Sequence, residues 1–268
     1  MKRQGQTPPC MRVMQPTEKI KFYQGRIKME NWIYDEYRHC GVDYSDEKQA
    51  ENYDNQHQKF RDYEKEFNAM IEFLSLGNTK DLSIIDLGCG TGATSIYAAK
   101  IFKKVYGIDV SDVMINQAKS KAEKEHISNI EFINAGFLTY THKDEPVDLM
   151  ITKAAFHHLP DFWKQVSLLK MNSMLKRGGI LYIFDVVFNF NPLEYKVKIN
   201  DWVSGFELKA GKKFKEEVET HIRDEYSTFN WILEGMIEKA GFKIEKSKTD
   251  DGFVTEYHCI KVEDINIQ

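Results

Sequence analysis

The sequence predicts an α/β fold: a doubly wound, mostly parallel seven-stranded sheet with a terminal antiparallel hairpin, a helical N-terminal extension and a lid insertion before the last helix. Three observations carry this expectation. Short, almost wholly apolar runs such as residues 82–87 look like parallel strands covered on both faces. They alternate with stretches whose apolar residues step by three or four, the helical period. The last two strand-like runs are joined by a tight-turn signal and not by a helix.

Each element can be placed in turn. Residues 1–16 hold three of the six prolines and read as a loose tail, and residues 1–44 together as a tail and helical extension. One large domain follows, 45–268. Phe60, Tyr63, Phe67, Ile71 and Leu74 form one helical stripe, ended by Gly77 and Asn78. Strands are expected at 82–87, 105–110, 130–133, 147–152 and 180–187, the last after a turn at Lys176-Arg-Gly-Gly179. Ser111 is placed to cap the helix after the second strand, with Asp112 in its first turn. Such βαβα alternation implies a parallel sheet wrapped by helices. Near the end, Phe229, Ile232, Leu233, Met236, Ile237 and Ala240 fit an amphipathic helix stopped by Gly241. Strands at 242–248 and 253–262 then flank the hairpin signal Thr249-Asp-Asp-Gly252. The lid insertion, residues 188–228, is longer than ordinary loops and rich in aromatic and charged residues.

Composition excludes several classes. The formal net charge is −4, without the basic excess of a nucleic-acid binder. No run approaches the roughly 20 apolar residues of a membrane span, and the basic N-terminus lacks the apolar run of a secretory signal. Cys10, Cys40, Cys89 and Cys259 form no CxxC pair or metal-like spacing. A cytoplasmic protein with reduced thiols is therefore expected.

The chemical centre is Asp86-Leu-Gly88-Cys89-Gly90-Thr-Gly92, which follows a strand and opens a helix. Glycine lets a ligand lie directly against the backbone, and the unsatisfied N–H groups at a helix start favour an electron-rich group. Asp109 ends the second strand, where a carboxylate can accept from both hydroxyls of a ribose. Together they point to an adenosine-type ligand. Gly88-Cys-Gly90-Thr-Gly92-Ala93 also fits the dinucleotide pattern G-x-G-x-x-A, so an NAD(P)-dependent oxidoreductase is an alternative. Asp86 argues for the other candidate: its charge is unfavourable beside a pyrophosphate and suits the ammonium of S-adenosyl-L-methionine, which carries no phosphate.

These residues resemble the class I S-adenosylmethionine-dependent methyltransferases. The resemblance rests on Ile84-Ile-Asp86-Leu-Gly-Cys-Gly-Thr-Gly92, Val105-Tyr-Gly-Ile-Asp109, Val147-Asp-Leu-Met-Ile through His157-His158-Leu-Pro160, and Leu175-Lys-Arg-Gly-Gly-Ile-Leu181. It implies that Gly88, Cys89, Gly90 and Gly92 line the methionine portion of the cofactor, that Asp86 faces its amino group and that Asp109 holds the ribose. The acid usual after the third strand is missing from Asn134-Ala-Gly136-Phe137. Adenine is then expected to meet the backbone at Gly136 and Phe137, with Phe137 or Val110 against the ring. The leader Ser45-Asp-Glu-Lys-Gln-Ala-Glu-Asn-Tyr53-Asp54 resembles one that precedes this domain in small-molecule methyltransferases, which makes Tyr53 a candidate shield for the sulfonium.

Methyl transfer from a sulfonium needs mainly alignment, with a base where the acceptor carries a proton. His157 and His158, past the end of the fourth strand, are the catalytic candidates; seating the Leu159-Pro160 loop is their alternative role. Lys153 either enters the pocket or is a solvated strand-end charge. In the lid, Trp202, His221, Arg223 and Tyr226 are candidate substrate contacts; His221, Arg223, Glu225 and Tyr226 offer acid, base and anion-binding groups within six residues, or are parts of a charged helix face. No metal site is expected, because no carboxylate or cysteine lies at ligand spacing from the two histidines. The leading expectation is methyl transfer to a small molecule by in-line displacement, without a nucleic-acid or membrane partner. A tRNA or other nucleic-acid methyltransferase is an alternative, although Thr152-Lys-Ala-Ala-Phe156 stands where amino-methylating relatives carry an Asn/Asp-Pro-Pro-aromatic motif.

Overall fold

The computed structural model describes residues 31–38, 40, 41 and 61–265. The chain divides into two units, Met1–Ile33 and Tyr34–Gln268, and the sheet belongs to the second. The leader at 45–54, with Tyr53, lies outside the described residues, as does nearly all of the N-terminal extension. Residues 34–38 form turns.

The sheet follows the order β3-β2-β1-β4-β5-β8-β7. Its parallel strands are β1 (Ser83–Leu87), β2 (Lys104–Asp109), β3 (Ile130–Asn134), β4 (Val147–Lys153) and β5 (Leu175–Phe188). The closing strands β7 (Phe242–Asp250) and β8 (Val254–Lys261) are antiparallel, with β8 inserted between β5 and β7. An eighth strand, β6 (Thr228–Phe229), pairs with β5 off this path; at two residues it is too short to leave a periodic signal. The turn expected at 176–179 is absorbed into β5, where the register against β4 jumps between Val147 and Leu149. The hairpin turn holds Asp251 and Gly252 with positive φ.

The apolar runs are continuous because each strand feeds two cores. Ile84, Leu149 and Ile151 face helices α1 (Tyr63–Leu74) and α2 (Ala93–Ala99), meeting Phe67, Met70 and Ala98. Ile85, Met150 and Leu181 face the opposite layer, α4 (Asp161–Met174) and α7 (Asn230–Lys239), through Leu168, Met171 and Ile237. Helix α3 (Asp112–Lys124) covers the β2–β3 end with Ile115, Ala118 and Ala122, and Ser111 caps it by accepting from the Met114 N–H.

The insertion between β5 and β6 is two helices, α5 (Tyr195–Ala210) and α6 (Lys212–Asp224), hinged at Gly211. Trp202 on α5 stacks flat on Phe253 at the hairpin, with centroids 4.5 Å apart. Each helix buries a single residue, Val203 or Val218; the helical period is weak in α5 but plain in α6, where Phe214, Val218 and Ile222 step by four.

Candidate active site

A cleft of about 270 Å³ opens at the carboxyl ends of β1, β2 and β4 and beside the turn after β3. That is where the crossovers of an open parallel sheet leave space for a ligand. Its floor is the turn Gly88–Gly92. The Gly88 and Cys89 N–H groups both donate to the Ile108 carbonyl, at 2.8 and 3.0 Å. Gly88 and Gly90 have φ of 75° and 53°. A Cβ on Gly88 would lie 2.3 Å from Ala155 Cβ, whereas one on Gly90 would meet nothing within 4 Å. One glycine is therefore required by packing, and the other leaves its face to the cleft.

Two carboxylates flank this turn. Asp109 accepts from the Gly90 N–H at 2.8 Å and the Ser111 N–H at 2.9 Å, one bond on each oxygen. Each oxygen keeps a further lone pair for a ligand hydroxyl. Asp86 is buried and accepts from Ser95 Oγ at 2.6 Å. Burial pushes its carboxyl up to about 6, opposed by the Ser95 bond and the Lys153 charge and reinforced by Asp109. Lys153 lines the cleft, its side chain 10% exposed, with Nζ 3.4 Å from Glu66 Oε2; Arg61 holds the same carboxylate at 2.6 Å.

The wall beyond β4 carries a second charged cluster. His157 Nδ1 pairs with Asp185 Oδ1 at 2.5 Å, and Asp185 Oδ2 accepts from the Phe156 and His157 N–H groups. Glu225 lies 3.4 Å from His157 Nε2 and pairs with His221 Nδ1. Burial opposes charge on His157, but Asp185 and Glu225 outweigh it and raise its pKa. Burial would likewise raise Asp185, yet the facing imidazolium brings it down to about 2. His158, which lines the cleft, is driven down to about 3 by burial and by the His157 charge, so it is neutral at physiological pH.

A family model described as a methyltransferase domain matches residues 78–251. The chain belongs to this methyltransferase family. The fold is that of the class I enzymes, whose solved neighbours include structures holding S-adenosylhomocysteine. An uncharacterized methyltransferase of Anoxybacillus flavithermus is 28% identical over 69% of this chain and 78% of its own length. The (S)-coclaurine N-methyltransferase of Papaver somniferum is 26% identical over 62% of the chain, which spans only 49% of that enzyme. The solved N-methyltransferase NodS of Bradyrhizobium japonicum superposes with a TM-score of 0.57 at 16% identity, covering 81% of this chain and 96% of its own.

In the methyltransferase, Asp86, Gly88, Cys89, Gly90, Asp109, Val110, Gly136, Phe137, Lys153 and His158 are brought together around the cleft. Gly92 is not: a Cβ there would meet Ala118 and the Phe132 ring, so its place is helix–sheet packing. His157 stands behind His158 in the charged cluster, with ring centroids 4.4 Å apart. His221 joins that cluster, Arg223 is exposed and paired with Asp224, and Trp202 packs on the hairpin. Tyr226 is 40% exposed, its N–H bonded to the His157 carbonyl. The Gly136 N–H is engaged by Thr139 Oγ at 2.9 Å. The residue that reasoning from sequence missed altogether is Glu36. Its carboxylate accepts from the Leu138 and Thr139 N–H groups at 2.9 and 2.7 Å, beside Gly136 and in the cleft wall. No local pattern marks it, since it lies 102 and 103 positions from the loop residues it holds. Asp185 did leave a trace, as a lone acid inside the apolar run 180–187.

The raised carboxyl of Asp86 predicts a pH dependence for binding any ammonium ligand held against it. With its folded pKa above the ordinary 3.8, this group favours the empty folded protein at low pH and stops doing so as pH rises through about 6. An ammonium needs the ionised form. S-adenosylhomocysteine affinity should therefore fall below pH 6, by up to about tenfold per unit, and level off above it. Burial raises the Asp109 carboxyl as well. Calorimetric titration across pH checks this: Asp86→Asn should bind weakly with a shallower slope, and an unchanged slope would refute the assignment.

Proposed function

We propose that this enzyme moves the methyl group of S-adenosyl-L-methionine to a small-molecule nucleophile by in-line displacement. The observation that carries the reading is the pair of carboxylates across one glycine turn: a buried Asp86 for the α-ammonium and Asp109 for the ribose diol. A pyrophosphate would meet the Asp86 charge unpaired, which favours this reading over a nicotinamide cofactor. In this reading Gly88, Cys89 and Gly90 support the methionine portion, and adenine rests between Val110 and Phe137 beside the Glu36 carboxylate. The neutral ring of His158 and the chain at Cys40 border the acceptor side. Alignment supplies most of the rate, because the leaving group arrives already charged. A small acceptor is supported by the net charge of −4 and by the named activity of the coclaurine relative.

We infer a cytoplasmic setting from the free thiols of Cys40, Cys89 and Cys259. No helix among the described residues is long and apolar enough to cross a membrane.

The deciding experiment is transfer of isotope-labelled methyl from the cofactor into a cell extract fractionated into metabolites, protein and RNA. Label should enter the metabolite fraction. Label in RNA, with a gel shift of bulk tRNA, would sink the small-molecule reading. S-adenosylhomocysteine at about 100 times its dissociation constant should stabilise the fold by about 2.7 kcal/mol, and NADH should not.

A further inference from the structure

The charged cluster behind the acceptor side is more elaborate than a sulfonium displacement needs. His157, His158 and Glu225 each offer a ligand atom, and those atoms lie within 4.8 Å of one another. Around them stands a supporting shell. Asp185 holds His157 Nδ1 at 2.5 Å, the carboxylate–histidine pairing that sets tautomer and ring direction in metal-bound imidazoles, and this leaves Nε2 toward Glu225. His221 grips the Glu225 carboxylate from the other side and is itself bonded to Ser227 Oγ at 2.7 Å.

The backbone that brings Glu225 there is stapled in place. The Tyr226 N–H donates to the His157 carbonyl at 2.8 Å. The buried Lys164 Nζ donates to the Tyr226 carbonyl and, at 2.9 Å, to Asp161, which also accepts from Thr228 Oγ at 3.2 Å. The carboxylate missing at ligand spacing in the sequence is thus supplied by the segment after α6.

We propose that His157, His158 and Glu225 form a three-ligand site for a zinc-type divalent cation, whose fourth position takes the heteroatom of the methyl acceptor. Two imidazoles and a carboxylate are the donor set of open zinc sites, whereas magnesium and calcium prefer oxygen alone. The acceptor is then a small molecule with an ionisable thiol or hydroxyl. Coordination lowers the pKa of that group and its proton leaves to solvent. The resulting anion attacks the methyl carbon, the new S–C or O–C bond forms, and the sulfonium–methyl bond breaks with its electron pair returning to sulfur. The acceptor clause rests on the methyltransferase reading of the cleft; the metal site does not.

The test uses the full chain, stripped with a chelator and titrated with zinc or cobalt(II). One equivalent should bind, with a visible cobalt spectrum of four- or five-coordinate intensity, and an added small thiol should bring in a thiolate charge-transfer band. His158→Gln and Glu225→Gln should lose the equivalent while keeping the wild-type circular dichroism in chelator. Asp185→Asn should weaken binding roughly 10- to 100-fold. Absence of stoichiometric metal in the wild type, or its retention by both ligand variants, overturns the proposal. S-adenosylhomocysteine is titrated into the same samples. A protein that binds the metal but not S-adenosylhomocysteine would overturn the cofactor reading and the acceptor clause together, and would leave the metal site supported.

Discussion

Gly88→Ala is expected to destabilise the fold by about 2–5 kcal/mol, and Gly90→Ala by only about 1–2. Both residues have positive φ, so both substitutions carry the left-handed strain of an L side chain. They differ in what the new methyl meets. At Gly88 it would lie 2.3 Å from Ala155 Cβ. Ala155 cannot easily retreat, because the next two backbone N–H groups are fastened to the buried Asp185 carboxylate at 2.7 and 3.2 Å. Relief would have to move the loop that carries His157 and His158. At Gly90 the methyl would project into open space at the cleft. Urea unfolding of the two variants measures the contrast, and S-adenosylhomocysteine titration should show the opposite order of concern: Gly90→Ala folds but binds poorly. Equal stabilities would mean that the Gly88–Ala155 contact does not constrain the turn.

Asp109→Ala is expected to weaken S-adenosylhomocysteine binding by at least about 100-fold, since two hydrogen bonds to a charged acceptor are lost at about 1.5–3 kcal/mol each. The side chain also accepts from the Gly90 and Ser111 N–H groups, so part of the loss would come through a loosened turn. A cycle separates the two. Wild type should prefer adenosine to 2′,3′-dideoxyadenosine strongly, and Asp109→Ala should bind both alike. If the preference survives in the variant, the ribose is held elsewhere. Asp109→Asn, which keeps one acceptor oxygen without the charge and turns a donor toward Gly90 or Ser111 N–H, should fall between.

Much of this site is legible in the sequence. The glycine turn, Asp86 and Asp109 sit within one β–α–β unit, so their proximity follows from local connectivity and strand order alone. A strand buried on both faces needs an unbroken apolar run, and the runs at 82–87, 105–110 and 147–152 declare themselves for that reason. The resemblance to class I methyltransferases rests on the same short-range features.

The two-helix insertion, Glu36 and the partners of the histidine cluster are not legible in this way. Helix α5 lies largely on the surface and buries one residue, which leaves too weak a period to separate helix from loop; α6 does carry an apolar stripe, Phe214, Val218 and Ile222, and that signal was passed over among its charged residues. The polarity of 188–228 therefore described exposure and not irregularity. Trp202 and Arg223 carry reactive-looking groups, yet one is spent on Phe253 and the other on Asp224.

What the amino-acid order determined by itself is the sheet, its crossovers and the cofactor crevice at its carboxyl edge, because periodicity and short loops act over tens of residues. What only the tertiary structure decided is the company each polar group keeps. Glu36 meets Leu138 and Thr139, and Glu225 meets His157, each across a long stretch of intervening chain. Such pairings are settled by burial, where an ionised group must find a partner when water is excluded, and no spacing rule along the chain records them.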